Sequence, residues 1–221
     1  MKKTKNRFYC SAVLCAILLL SCNCMPVFSQ KKIAVQIGTG LGSTMAKNEN
    51  AGKKGRVMIN LNGYYNLTQQ LSLGLELASA GSFINSVGGY ANGDKFDPAT
   101  NTLIKDVSNM KSYAVLAKVK YYFIAGKNNF SPFAEFGLGK GTYYEKVFNV
   151  SGISEKKIKK SSLVYQPEIG IAFRHVQLSV RYLGGGRTPV FEGVDEQGTN
   201  LKYERIRLSP LYVNLSWRFD F

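Results

Sequence analysis

Cysteine is confined to the start of this chain: Cys10, Cys15, Cys22 and Cys24 are its only four. Beyond them no disulfide framework, cysteine metal cluster or thiol nucleophile is available. Histidine is scarcer still, with His175 alone. Negative charge is in short supply, 14 Asp and Glu against 29 Lys and Arg, for a formal net charge of +15. Long apolar runs are missing as well. Phe8–Leu20 is the longest, and it is too short and too near the start for a spanning helix. A membrane protein with these limits has to cross as strands, because only helices and closed barrels satisfy their backbone in lipid.

What is present begins with a leader. Lys2, Lys3, Lys5 and Arg7 form a positive region ahead of the apolar run. Pro26 breaks the run, and Val27-Phe28-Ser29 offers a cleavage site before Gln30. The chain is therefore expected to divide into a signal peptide, 1–29, and one domain, 30–221. A second processing route is open, since Leu19-Leu20-Ser21-Cys22 resembles a lipobox that would lipidate Cys22. Removing the leader lowers the net charge to about +11 and leaves about 190 residues, one domain's worth. For an exported chain, anionic lipopolysaccharide and other surface polyanions fit a basic surplus better than nucleic acid does.

The rest alternates. Leu211, Val213, Leu215, Trp217, Phe219 and Phe221 are apolar at every second position, the signature of a strand with one greasy face. Seven further segments read the same way: 32–42, 56–66, 70–81, 110–124, 130–147, 161–174 and 176–185, with the eighth strand at 203–221. Short links (66–69, 125–129, 174–175) alternate with long ones (43–55, 82–109, 148–160, 186–202). This asymmetry suits tight periplasmic turns and long outer loops, with both termini periplasmic. Aromatics gather at the strand ends, as interfacial girdles require. Tyr65, Tyr121, Phe123, Trp217, Phe219 and Phe221 are assigned to the periplasmic side, and Tyr113, Tyr143, Tyr144, Tyr182 and Tyr203 to the outer side.

Leader, eight strands, alternating links and aromatic end together resemble the small outer-membrane barrels typified by OmpX and the membrane domain of OmpA. The chain looks most like the outer membrane protein beta-barrel domain group common in Bacteroidota. The expected fold class is all-β, a closed eight-stranded antiparallel transmembrane barrel. The resemblance implies that Trp217, Phe219 and Phe221 act as an assembly signal read by the barrel-assembly machinery. It implies outer-membrane lipid and lipopolysaccharide as surroundings, and a monomer is expected.

If the apolar rows face lipid, Glu76, Lys118, Lys120, Glu135, Glu168, Arg174, Arg181 and Arg218 point inward. Eight strands leave a bore just wide enough for side chains to fill, and buried charges must be paired. A structural ion-pair network that plugs the barrel is the expectation, with a narrow conducting path as the alternative. Neither an enzyme, a metal nor a cofactor is expected. The barrel enzymes that modify lipid A need a His with a Ser and a carboxylate near the outer leaflet, whereas His175 falls in the shortest periplasmic turn. Asp195-Glu196 is weak as a cation site. Lys156, Lys157, Lys159 and Lys160 form a basic run in the third long loop, able to meet a polyanion or simply to be solvated. Gly137, Gly139 and Gly141 are expected to make room for inward neighbours. A structural or adhesive surface role leads; a passive channel and an accessory barrel of an export machine are the alternatives, and any surface ligand or secretion partner is unknown.

Overall fold

The computed structural model describes residues 32–46, 55–82, 94–105, 110–124, 130–150, 153–195 and 197–221. The expected leader, the Cys22 lipobox and the link 125–129 lie outside them.

The described residues form thirteen strands: β1 (Ile33–Ala46), β2 (Gly55–Asn66), β3 (Leu71–Ser82), β4 (Lys95–Asp97), β5 (Thr102–Lys105), β6 (Lys111–Tyr122), β7 (Ser131–Val150), β8 (Ile153–Phe173), β9 (Val176–Tyr182), β10 (Gly186–Arg187), β11 (Phe191–Val194), β12 (Asn200–Tyr203) and β13 (Arg207–Asp220). Eight of them, in the order β1-β2-β3-β6-β7-β8-β9-β13, form the wall, and β1 pairs with β13 to close it. All the wall ladders are antiparallel. The closing ladder runs from Ala34–Asp220 to Ala46–Leu208. Closure gives every wall strand a hydrogen-bonded neighbour on both sides, as a sheet in lipid requires.

Period two governs the wall, but with inverted polarity. On β6 the even positions are buried and the odd ones exposed without exception. The exposed row carries Tyr113, Val115 and Val119, while the buried row carries Lys118 and Lys120. The same inversion puts Leu75 and Leu77 of β3 outside and Glu76 inside. Gly139 lies where β7 and β6 approach closely: a Cβ there would sit 2.8 Å from the Cα of Leu116.

Several expectations are corrected above the outer rim. The described part of the segment 148–160 is strand, not loop. β7 and β8 continue as a ribbon with an unbroken register from Ser131↔Ala172 to Phe148↔Glu155, followed by Val150↔Ile153. The segments read as loops 82–109 and 186–202 contribute a separate four-stranded sheet, β11-β12-β5-β4, in which β12 and β5 run parallel. The eighth strand starts at Arg207, and Tyr203 belongs to this outer sheet. Tyr143 and Tyr203 are not girdle residues: both are buried, in a cluster with Ile158, Phe191, Leu201 and Leu208. Tyr143 has odd parity on β7, the same as the inward Glu135, so the pleat turns it inside. The other aromatics do frame the wall. Tyr121 and Phe123 meet edge-on at 5.5 Å at one end, and Tyr113–Tyr144 and Tyr165–Tyr182 pair at the other.

Candidate functional site

Among the described residues, the bore gathers ionised side chains out of water. Glu76 from β3, Lys118 and Lys120 from β6, Glu135 from β7, Glu168 from β8 and Arg181 from β9 are all buried, each 4% exposed or less. Register brings them level. Glu135 stands opposite both Lys120 and Glu168, and Glu168 opposite Arg181.

Lys118 is the hub. Its Nζ lies 2.6 Å from Glu76 and 3.5 Å from Glu168, and it is paired with Glu135 as well. Arg181 spans two of the same acids, Nη1 at 3.1 Å from Glu76 and Nη2 at 2.9 Å from Glu168. Lys120 reaches Glu135 at 3.3 Å. Three carboxylates thus face three cations and the cluster is neutral, as burial demands. Neutral groups add further bonds, although the Nε of Arg181 is buried without a hydrogen-bond partner. Tyr64 donates to Glu135 at 3.1 Å, Ser179 to Glu168, and Gln166 to Glu168 at 3.2 Å. Lys120 donates to Gln36 and Gln177 and lies 4.0 Å from the Phe133 ring centroid.

Arg218 is buried but stands apart, near the periplasmic mouth. It donates to Asn66 at 3.0 Å, to Tyr122, and to Asp220 at 2.8 Å. Arg174 is a correction. It is exposed in the two-residue turn beyond the last ladder pair Phe173↔Val176, with φ of 52°. Tight hairpin turns need that left-handed backbone, and the turn swings the side chain out over the Phe173 ring. The reading from residue type missed Gln36, Tyr64, Gln166, Gln177 and Ser179. All share the inward parity of their strands, so pattern could have placed them, though not paired them.

The other candidates separate. His175 is exposed in the turn, its Nδ1 3.1 Å from the backbone oxygen of Arg218. Asp195 spends its Oδ1 on the backbone N–H groups of Gln197 and Thr199, at 2.9 and 2.8 Å; Glu196 lies outside the described residues. No three His, Cys, Asp or Glu residues among those described could hold a metal together. Lys156, Lys157, Lys159 and Lys160 sit on β8, opposite Val147, Lys146, Tyr144 and Tyr143. Period two therefore splits the run between the two faces of the ribbon, and it is no single patch. Lys157 lies over the Tyr144 ring at 5.0 Å. Trp217, Phe219 and Phe221 are all exposed on the outer face, and the Phe221 N–H donates to Ile33 at 2.8 Å.

The family model described as outer membrane protein beta-barrel domain matches residues 15–219. Neisserial surface protein A is similar in structure over 85% of this chain and 97% of its own, with 13% identity and a TM-score of 0.53. Ail, the attachment invasion locus protein of Yersinia pestis, solved with the heparin analogue sucrose octasulfate, aligns over 86% of this chain and 99% of its own, with 14% identity and a TM-score of 0.45. The N-terminal β-barrel domain of Pseudomonas aeruginosa OprF aligns over 86% and 98%, with 11% identity and a TM-score of 0.40. No curated protein sequence matches.

Proposed function

Because the chain belongs to the outer membrane protein beta-barrel domain family, we propose that it is a closed-bore surface protein of the Gram-negative outer membrane whose interactions occur above the outer rim. The observation that carries this reading is the ion-paired cluster in the lumen. Lys118, Lys120, Arg181, Glu76, Glu135 and Glu168 bind one another across the bore, and ions fixed to partners from several strands leave no hydrated path. The wall then serves as a rigid mount for the ribbon and the outer sheet, where contacts can vary without disturbing the scaffold. The role is non-enzymatic, since the buried carboxylates are held by cations rather than presented to a substrate.

Planar-bilayer recording of the purified protein tests closure. Silence is expected. Stable conductance that Glu135→Ala or Arg218→Ala reduces would replace this reading with a narrow channel.

Two further parts complete the proposal. The leader 1–29 is removed before Gln30, so the mature mass lacks all four cysteines; a lipid-modified mass starting at Cys22 would refute that. Trp217, Phe219 and Phe221 serve as the signal for the assembly machinery, and the mature barrel is a monomer. Phe221 is worth about 1.5–3 kcal/mol at most by burial in lipid, so its deletion should slow insertion in cells more than it weakens the folded barrel. Insertion of the shortened chain at the normal rate would contradict the signal role.

A further inference from the structure

The wall has a notch on its outer-leaflet side. β9 has only seven residues, the fewest of any wall strand. Its ladder with β8 ends at Glu168↔Arg181, after which a single bridge, Tyr165↔Gly184, holds the seam. Above that bridge β8 has its ladder with β7 alone, while β10 pairs with β13. A half-open cavity of about 870 Å³ occupies the gap.

Its lining is sorted by height. Leu163, Tyr165 and Tyr182 form the lower part, and Lys160, Arg187 and Arg207 the upper. Arg207 shares the odd-numbered face of β13 with the exposed Leu211 and Val213, so it stands above the lipid-facing row and not over the lumen. Leu211 pairs with Tyr182 and lies four positions further along β13 than Arg207. At ~3.4 Å per residue and a tilt of ~45°, four positions raise Arg207 about 10 Å above the tyrosine level. The headgroup layer occupies about 5–8 Å beyond the hydrocarbon on each side. The cations therefore border the plane of the lipid phosphates, within reach of a descending arginine side chain.

The cations of the cavity call for an anion. Arg187 and Arg207 are directly opposed on the β10–β13 ladder, and like charges in that position destabilise a sheet unless something neutralises them. Among the described residues no carboxylate pairs with Lys160, Arg187 or Arg207.

We propose that this notch binds a phosphorylated lipid of the outer leaflet. The phosphate sits between Arg187, Arg207 and Lys160, and an acyl chain descends along Leu163 and Tyr165. Arginine suits the task because its planar fork binds phosphate oxygens in pairs. The proposal rests on the barrel standing in the outer membrane but not on its closed bore, so conductance and lipid retention fail separately.

The test uses the purified barrel in phosphatidylcholine nanodiscs, with lipid retention read by native mass spectrometry. The probes are bis-phosphorylated lipid A, the same lipid stripped of phosphate, and inorganic phosphate as competitor. The phosphorylated lipid should be retained about tenfold or more over the stripped one, and retention should fall as salt rises. Arg187→Gln/Arg207→Gln should lose about tenfold or more, Arg187→Lys/Arg207→Lys distinctly less, and Lys202→Gln in the outer sheet nothing. Equal retention of the two lipids, or an unaffected Gln pair, overturns the site. Displacement by inorganic phosphate at concentrations comparable to the lipid's would make it a simple anion site and overturn the lipid assignment. If the Gln pair does not fold, the salt titration of the unaltered protein decides, and salt-independent retention refutes the proposal.

Discussion

Halfway down the barrel the side chains withdrawn from the surface are Glu76, Lys120 and Arg181; above the rim they are Tyr203, Leu201 and Phe191. Outside the wall at the first level stand leucine and valine, and outside the upper cluster stand Lys202 and Glu192. One chain thus builds two regions of opposite polarity. The difference lies in what surrounds them. Lipid gives an apolar row no reason to hide, so the wall is held by backbone ladders and by a polar interior that must be fully paired. Water drives the outer sheet together by burying hydrocarbon.

The largest effect should come from breaking the polar interior. Lys118→Met removes the cation that touches Glu76, Glu135 and Glu168. Stranding buried charge typically costs about 3–5 kcal/mol. Urea unfolding in lipid vesicles should show that loss, and a change below about 1 kcal/mol would mean the cluster is hydrated. Next comes a matched pair of exposed positions. Leu75 and Phe96 are 64% and 56% exposed, one on the wall and one on β4. Leu75→Arg should cost about 2–4 kcal/mol because it enters hydrocarbon, whereas Phe96→Arg should stay within about 0.5 kcal/mol because it faces water. Equal costs at the two sites would erase the distinction between the regions.

These contrasts also explain which parts of the molecule the sequence disclosed. The limits of β2, β3 and β6 were legible to within one or two residues, because each has lipid on one side and packed polar groups on the other. That boundary writes itself as strict alternation. In the described part of 148–160 the register puts Lys157 and Lys159 on one face of the ribbon and Lys160 on the other. Ile158 is buried in the outer cluster, but the lysines on either side of it mask the alternation and the segment reads as loop. The outer sheet is built from strands of three and four residues, joined by the parallel pairing of Thr102–Lys105 with Asn200–Tyr203. No local pattern announces contacts so distant in sequence. In the bore, parity revealed which residues point inward, but the partners depend on register between strands, which lies beyond any one segment. Arg174 was misplaced because parity stops applying where the backbone turns.

A smaller effect should appear in the cap. Leu201→Ala removes a buried side chain from the outer cluster, at the low end of the usual range, about 2 kcal/mol. This cap, the outer sheet, shares no ladder with the wall among the described residues, so the loss should be local. Hydrogen exchange should quicken across 191–203 while β2, β3 and β6 keep their protection. If the wall loosened equally, the two regions would be one cooperative unit.

The finest test is alkaline. Burial pushes the Tyr203 phenol up to about 12, with the carboxylates of Glu145 and Asp94 adding to the shift. Glu145 is itself raised by burial, against the pull of Lys111 and Lys105. In an unfolded cap the phenol ionises near ~10. Below that pH both states keep the proton, so Tyr203 gives no pH dependence. Between about 10 and about 12 the unfolded cap sheds its proton while the folded cap holds it, and stability falls as pH rises through this window. Exchange in 191–203 should therefore accelerate there in the native protein and far less in Tyr203→Phe, which has no proton to lose. Glu145→Gln removes one of the carboxylates and should bring the phenolate midpoint down, read as the absorbance difference from Tyr203→Phe. A midpoint unmoved by Glu145→Gln would leave burial and Asp94 as the causes of the shift. Identical alkaline profiles for the native protein and Tyr203→Phe would show that the cap's stability does not depend on that phenol remaining neutral.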